Sequence, residues 1–558
     1  MREGLLNNRR NFTDTFGKDP TKDAVHYMRK DRLKQIGIYH RKMEQDLGTE
    51  SGTFIDEITW NDLDMDHVFL RINHTGSFIG EQVLYNRLHC LKETDKRSEH
   101  RASGNSDSQA ASGKDQWEDF EKMADYFTLK QVQRSKVWEK LRGIGKKNTA
   151  YYMTELMSYF EPYSRCHMLI FRMLQITLVA SFIGFVITAG QILKMLLIAT
   201  ACTNLAIYMF QKRKAEMMLE CLEQICDLIG MCESFKKKEI IPGEWMGDEI
   251  IDDMKALKGL RIFAGRFVSR KLGAEIGLEG LLSDYILGIT LWDLTFYNRI
   301  VRMIRVNEAA ILRLFEFVGG IDMAISVASY RKSMDVYCIP DFVQGKTIEI
   351  QKLVHPLIAG AVPNSVVIKR NSFLMGANAS GKSTFIKAVA INMILAQTIH
   401  TCSAESFSAP GMRVMTSMAV RDDVQSGESY YVREIKYLKR MMDAAGDGVP
   451  VFCAVDEILK GTNKKERLAA SEAVLRYLSD KNSIIMVATH DYELIERLKG
   501  KFGCYHFRCI LSDEGVKFDY KVHEGEGGET NAVALLRFFD FPESVVDLAN
   551  KRLKEKAV

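Results

Sequence analysis

The nine residues Gly376, Ala377, Asn378, Ala379, Ser380, Gly381, Lys382, Ser383 and Thr384 satisfy the pattern GxxxxGK[ST] without a departure. They follow the apolar run Ser372–Met375 and open an apolar helical pattern that reaches about Leu395. A strand, a glycine-bearing loop and a helix in that order can surround phosphate oxygens with backbone N–H groups and a helix N-terminus. Lys382 then supplies a point charge to the terminal phosphates, and the Ser383 hydroxyl is placed to ligate magnesium. The chemistry implied is binding of a nucleoside triphosphate.

Two further segments fit a reaction on that ligand. Val451–Val455 is apolar and runs directly into Asp456 and Glu457. Two acids at the end of a buried strand are costly unless a cation compensates them, which a magnesium ion would do. Asp456 is then the metal-holding carboxylate, and Glu457 is the group that orients or deprotonates an attacking water. The apolar run Ser483–Ala488 ends in Thr489 and His490. A histidine at a strand's C-terminal edge can sense the terminal phosphate, although alone it would read as a surface residue.

The elements that hold these residues are short apolar strands alternating with helices, the pattern of a parallel α/β sheet. The candidate strands are Ser365–Lys369, Ser372–Met375, Val451–Val455 and Ser483–Ala488. Before Asp335 the pattern is different. Long helical stretches run over about 117–165 and 212–335, with few glycines or prolines before Gly319–Gly320. Segment 51–92 is helix-compatible, and residues 1–50 are basic and polar with an amphipathic look around Asp23–Asp46. The polar run Arg97–Asp115 is rich in Ser, Gly and Ala, and reads as a flexible loop over about 93–116.

Whole-chain composition suits a large globular core: of 558 residues, 46% are hydrophobic and 27% charged. Nine prolines and 39 glycines exclude a collagen-like or low-complexity chain. A net charge of +4 indicates no partner class. Eleven cysteines with no CxxC pair predict free thiols in a reducing compartment and no zinc framework. The opening residues MREGLLNNRRNF contain no apolar run, so a cleaved signal peptide is not expected.

The middle of the chain stands apart. Met173–Leu193 carries no charge, and after Lys194 the stretch Met195–Phe210 is again uncharged. Apolar residues fall on all faces of these helices. About 20 apolar helical residues cross a hydrocarbon core, which the first stretch meets and the second nearly meets. Arg165 and Arg172 flank one outer end, and Lys212, Arg213 and Lys214 the other. Positive charge at both outer ends predicts a hairpin turning near Ala189–Gln191, with both flanks cytoplasmic. The competing expectation is a pair of helices buried in a soluble core.

Taken together the motifs resemble the ATPase of the MutS family, the ABC-type ATPases of DNA mismatch repair. Gly376–Thr384 resembles the family's GPNMGGKST loop, and Asp422 through Glu434 its DDL-x-SG-x-S-x-F-x-x-E segment. Asp456–Thr462 resembles DE-x-x-RGT with Lys460 at the arginine, and Ala488–Leu494 resembles ATHYxEL. Upstream, Val354, His355 and Pro356, with Val362, Pro363 and Asn364, resemble the segment where the family places adenine. Ile321 and Asp322, with Ser326–Ala328, resemble the end of its lever helices. Leu63–Leu88 resembles the start of its core.

The resemblance implies ATP and Mg2+ as ligands, and a homodimer whose composite sites each receive Ser429 from the other subunit. It also implies DNA as a partner, with Arg29, Lys30, Arg32 and Lys34 as candidate backbone contacts; a solvated helix face explains the same cluster. There are departures. About 50 residues precede the core-like segment and hold no Phe-x-Glu; the one occurrence, Phe541–Glu543, is near the C-terminal end. The mismatch-recognition domain is therefore expected to be missing, and the apolar hairpin occupies the lever tip where relatives carry a DNA clamp.

The expected architecture is α+β and multidomain. It comprises a basic segment 1–50, a helical core and lever part 51–166, and a transmembrane hairpin 167–211. A second helical part 212–335 leads into a P-loop ATPase domain 336–558. The expected location is the cell membrane, multi-pass, with the ATPase in the cytoplasm. The alternative function is a membrane ABC-type ATPase, or a scaffold, that couples ATP state to transport or to a partner other than DNA.

Overall fold

A computed structural model describes residues 15–23, 30–47, 54–91, 113–274, 285–286, 288–377, 379–418, 430–512, 515–527, 533, 536, 539 and 541–555. The fold mixes helices and sheet, with a C-terminal α/β domain. Among the described residues that domain holds ten strands: β1 (Asp341–Phe342), β2 (Ile348–Leu353), β3 (Asn364–Ile368), β4 (Ser372–Met375), β5 (Ser406–Ala409), β6 (Arg413–Ser417), β7 (Val451–Asp456), β8 (Ser483–Ala488), β9 (Gly503–Ser512) and β10 (Gly515–Glu524). Six of them form one sheet in the order β10-β9-β4-β8-β7-β6. All its pairings are parallel except β9 with β10.

Every residue of β8 is buried, as are the first five of β7, because helices cover both faces. Val451, Cys453 and Val455 pack toward the helices Tyr430–Gly446, Lys464–Ser479 and Tyr492–Leu498. Phe452 and Ala454 face the opposite way, into the core shared with helix Lys382–Ile399 and the helical half of the chain. This is the two-residue period of a strand, hidden in the sequence because both faces are apolar. A second sheet, β1-β5-β2-β3, is mainly antiparallel. Of this sheet only β3 was among the candidate strands, as Ser365–Lys369; β1, β2, β5 and the β9–β10 hairpin were not.

The helical half is more broken than its composition suggests. The stretch 117–165 divides into Gly113–Leu129, Gln131–Ile144 and Met153–Tyr159, with Gly145 turning at φ 72°. The run Arg97–Asp115 lies outside the described residues up to 112, and its last three residues are helical. Helix Gln191–Lys238 ends in a left-handed Glu239, and Pro242 and Gly243 follow before Asp248–Ala274. Conversely, helix Glu308–Lys332 passes through Gly319 and Gly320 without a break. A Cβ at Gly319 would meet Val83 Cγ2 at 2.3 Å, so its missing side chain admits the crossing helix Phe78–His89.

Within that crossing, Asp322 is fully buried and accepts from Gly76 N at 2.8 Å, Ser77 N at 2.9 Å and Ser77 Oγ at 2.6 Å. The helices Glu57–Asp62 and Met65–Ile72 bind the α/β domain directly. Asp62 Oδ2 accepts from Thr416 Oγ1 at 2.7 Å and Met418 N at 3.0 Å, and Lys387 pairs with Asp64 at 2.9 Å.

Helices Arg165–Thr188 and Gln191–Lys238 form an antiparallel hairpin that turns at Ala189, φ 48°, and Gly190. The two apolar windows are each only 17% buried. The helices therefore are not held inside a soluble core, the second expectation drawn from their composition.

Candidate functional site: a phosphate loop, an acidic strand end and a histidine

Strands β4, β8 and β7 are neighbours, and their C-terminal ends carry the loop 376–381, Thr489–His490 and Asp456–Glu457 respectively. Ligands of parallel α/β sheets bind at such edges. Three segments more than a hundred residues apart at the extremes thus meet in one place.

The loop has the backbone that phosphate binding needs. Gly376 lies at φ 143° and Gly381 at φ 104°, where side chains are disfavoured, and Ala379 adopts φ 64°. A Cβ at Gly376 would stand 3.1 Å from Phe507 O, so glycine also permits close passage against β9. Ser380 Oγ is buried and has no hydrogen-bond partner among the described residues. Lys382 is almost wholly buried; its ammonium donates to Gly376 O at 2.7 Å and Ala377 O at 2.9 Å, and lies 3.2 Å from His490 Nε2. Burial lowers its pKa. A buried cation inside a loop of left-handed residues, with an unpartnered hydroxyl beside it, fits a polyphosphate. Asn378 lies outside the described residues, and so does Ser429.

Glu457 takes a left-handed φ of 55°, and Leu459 one of 53°. Such conformations are uncommon for non-glycine residues and concentrate where function over-determines the backbone. The Glu457 N–H still donates to Ala488 O at 2.9 Å, anchoring the residue to β8. Its carboxylate reaches His490 Nε2 at 3.3 Å and Lys460 Nζ at 2.5 Å. The His490 hydrogen bond, with Lys460 adding to it, holds the Glu457 pKa down at about 2. A carboxylate so acidic is a weak base, which favours orienting a water over removing its proton.

Ser383 lines a cavity of about 410 Å³, and Asp456 ends β7 beside it in sequence with Glu457, which also lines that cavity. Among the described residues no cluster of three or more His, Cys, Asp or Glu could hold a metal by itself. One hydroxyl and one carboxylate suit magnesium, which completes its shell with water and substrate phosphates. Ser383 and Asp456 would hold it, and its charge would offset that of the phosphates.

The same cavity extends from Ala379, Gly381 and Thr384 to His355, Ile358, Asn364, Phe507 and Tyr520. Its volume lies within the usual range for small-molecule sites. Burial pushes His355 down to about 4, leaving a neutral ring in that wall. Asn364 does not present a free amide. It donates to Val362 O at 3.1 Å and Tyr520 O at 3.0 Å, and accepts from Val522 N at 2.7 Å. It thereby holds an irregularity in β10, where Tyr520 sits at φ 53° with its ring against Gly381. Phe507 and Tyr520 were missed from sequence because no motif marks them; they arrive from β9 and β10.

Residues 372–556 match the family model of MutS domain V. That segment of the chain is similar to the MutS family. Over 247 residues the chain is 30% identical to a DNA mismatch repair protein MutS of Natronomonas pharaonis, covering 42% of this chain and 28% of that protein. It is 30% identical over 269 residues to DNA mismatch repair protein MutS 2 of Halobacterium salinarum, 45% of this chain and 30% of the relative. A MutS of Fusobacterium nucleatum is 24% identical over 272 residues, with 46% and 30% covered. The matched part thus spans less than a third of the length of each of these relatives.

Proposed function

We propose that this MutS-like protein is a magnesium-dependent ATPase whose two subunits pair to form composite sites, and that its apolar hairpin anchors it in the cell membrane. The observation that carries the ATPase reading is the meeting of Lys382, Glu457 and His490 at adjacent strand ends, beneath a loop of left-handed residues. Lys382 binds and neutralises the terminal phosphates, Ser383 and Asp456 hold the magnesium, and Glu457 orients the attacking water. His490 keeps the Glu457 carboxylate charged and directed. Ala379, Gly381 and Thr384 line the phosphate end of the cavity; Gly376, Ala377, Asn378 and Ser380 complete the loop. The base-binding end lies between His355, Ile358 and Tyr520, in a wall that Asn364 shapes.

Pairing through Ser429 rests on the resemblance of residues 422–434 to the family's signature segment. The serine precedes helix Tyr430–Gly446 directly, so a hydroxyl and a helix N-terminus would reach the partner's phosphates together. DNA as a partner comes from the names of the mismatch repair relatives and the basic residues around Arg32. Arg32 itself is engaged, donating to Tyr151 Oη at 2.8 Å and to Lys146 O at 3.1 Å, so it is a poor phosphate contact. Membrane anchorage is supported by the exposure of both hairpin helices and by their basic flanks, with the ATPase on the cytoplasmic side. A transporter or scaffold that couples ATP state to a partner other than DNA remains the second reading, since the hairpin sits where the lever helices converge.

The test is ATP hydrolysis by the detergent-purified full chain, with and without magnesium, against Lys382→Ala. Magnesium-dependent turnover lost in the variant supports the reading; equal turnover in both proteins refutes it. A parallel titration with duplex DNA across salt decides the DNA question, because phosphate contacts give a steep salt slope.

A further inference from the structure

A second helical segment lies against the hairpin at a depth that its sequence position does not suggest. Residues 288–290 are helical, Leu291 breaks the helix at φ 52°, and a new helix, Trp292–Val306, begins at once. A helix end leaves its last carbonyls without intrahelical donors. Here two amide side chains from the hairpin supply them. Asn204 Nδ2 donates to Ile289 O at 2.7 Å, and Gln175 Nε2 donates to Thr290 O at 2.9 Å.

Gln175 and Asn204 are amide residues in uncharged, mainly apolar stretches, and each lies the same number of residues from the hairpin turn. At 1.5 Å per residue that places both roughly 20 Å from the turn. Below them, Leu291 and Leu294 are fully buried against Phe171 and Tyr208, roughly 25 Å from the turn. A Cβ at Gly288 would meet Tyr208 Cδ1 at 2.7 Å, so the segment rests closely on the second hairpin helix. Its other side is open: Tyr285 is 53%, Ile286 61% and Trp292 58% exposed.

We propose that residues 285–286 and 288–292 belong to a third membrane-seated element, docked on the hairpin by Gln175 and Asn204 and facing lipid through Tyr285, Ile286 and Trp292. This rests on the reading of the hairpin as membrane-inserted. In hydrocarbon an interrupted helix is tolerated only where its backbone groups find partners in protein, and the two amides are those partners. In water the broken carbonyls could bond solvent, and a buried Asn204 and a half-buried Gln175 would have no reason to be there. The exposed face is apolar and aromatic, and a tryptophan about 25 Å from the far turn falls at the headgroup level favoured by that side chain.

The occupant is a phospholipid bilayer, and Trp292 reports on it. The full chain, reconstituted in vesicles of phosphatidylcholine and phosphatidylglycerol, is compared with Trp292→Phe, so that the difference isolates one of the five tryptophans. Nitroxide lipids labelled near the headgroup should quench this component roughly twofold more than lipids labelled near the chain end, with aqueous iodide less effective than either. In Gln175→Leu/Asn204→Leu the lipid quenching should fall and iodide quenching rise. If the chain pellets with vesicles after carbonate washing while Trp292 is quenched by iodide alone, the third element is refuted and the hairpin stands. Shielding from both quenchers would assign the face to protein and equally refute lipid contact. Unchanged lipid quenching in the double variant would refute docking through the two amides. Release of the chain from vesicles by carbonate would overturn the hairpin reading itself, and this proposal with it.

Discussion

Glu457 and Lys460 form an ion pair within a single loop, with Lys460 Nζ 2.5 Å from Glu457 Oε2. Lys460 occupies the position where the resemblance places arginine. An ammonium is a point charge on a flexible stem and lacks the planar fork of a guanidinium, so the pair is easily separated and re-formed. On its other side Glu457 meets His490, which in turn meets Lys382. A chain of alternating partners therefore runs from the phosphate loop through His490 and Glu457 to Lys460.

The first prediction concerns that chain. Glu457→Gln keeps shape and removes charge, so nucleotide affinity should persist while turnover falls at least about 100-fold. Since Glu457 is held down at about 2, it stays ionised on acidification until pH approaches 2. Any acid limb of activity above pH 4 must then belong to another group. In Lys460→Ala the Glu457 pKa should move up, though His490, the larger cause, still restrains it. Steady-state rates between pH 4 and 8 for the three proteins check this. Full turnover in Glu457→Gln would falsify its role.

Pairing of subunits gives a second expectation. A chain with Lys382→Ala and a chain with Ser429→Ala are each inactive if sites are composite. Mixed, they should restore about one working site per heterodimer, because one of the two sites then combines an intact Lys382 with an intact Ser429. Heterodimers demonstrated by affinity-tag pull-down yet wholly inactive would refute the shared site.

The third expectation is a stability effect at the lever. Burial raises Asp322 to about 6, against donors from Gly76 and Ser77 that oppose the rise. The folded chain therefore holds this proton more tightly than the unfolded chain does. Its contribution to stability is complete below about pH 4, declines as pH rises through 6, and is lost above that. Asp322→Asn should flatten this part of the stability profile. It should also cost about 1–3 kcal/mol, since an amide NH2 would face one set of donors. Urea midpoints of both proteins from pH 4 to 8 read the two effects separately, and parallel profiles would assign the pH dependence elsewhere.

The chemistry of the site was legible where it is contiguous. The loop around Lys382, the pair Asp456–Glu457 and the pair Thr489–His490 each combine their residue types within one strand end, and parallel pairing brings those ends together. What depends on distant chain was not legible. Asn364 reads as a base contact from its neighbours, but its amide is engaged by Tyr520 and Val522, more than 150 residues away. Gly319 and Gly320 are unfavourable inside a helix by propensity, and only the approach of Val83 explains Gly319 within a continuous one. The left-handed turn at Glu457 leaves no trace in composition at all, because any residue can carry it when the surroundings hold it.

The last prediction returns to the hairpin. Helices Arg165–Thr188 and Gln191–Gln211 expose Ile176, Val179, Phe182, Ile183, Ile192 and Met195 among other large apolar side chains. Apolar surface on that scale in water marks a binding or membrane site, since ordinary monomers do not leave it uncovered. A helix satisfies its own backbone groups, so lipid can cover every face without a protein partner. The turn residues Ala189 and Gly190 carry no charge, and Lys194 stands one helical turn beyond, able to extend its ammonium toward an interface. Carbonate washing of cell membranes should therefore leave the full chain in the pellet, and deletion of residues 168–210 should release it. Because that deletion also removes Phe171 and Tyr208 from the cluster with Leu291 and Leu294, a second variant is needed. Substituting Ile176, Val179, Ile183 and Ile198 by lysine leaves that cluster intact and places four charges on exposed apolar positions of the hairpin. Each costs roughly 2.5–3.5 kcal/mol at the bilayer centre, enough together to abolish insertion. Recovery of the full-length chain in the carbonate supernatant would refute anchorage and return the exposed hairpin to a protein partner.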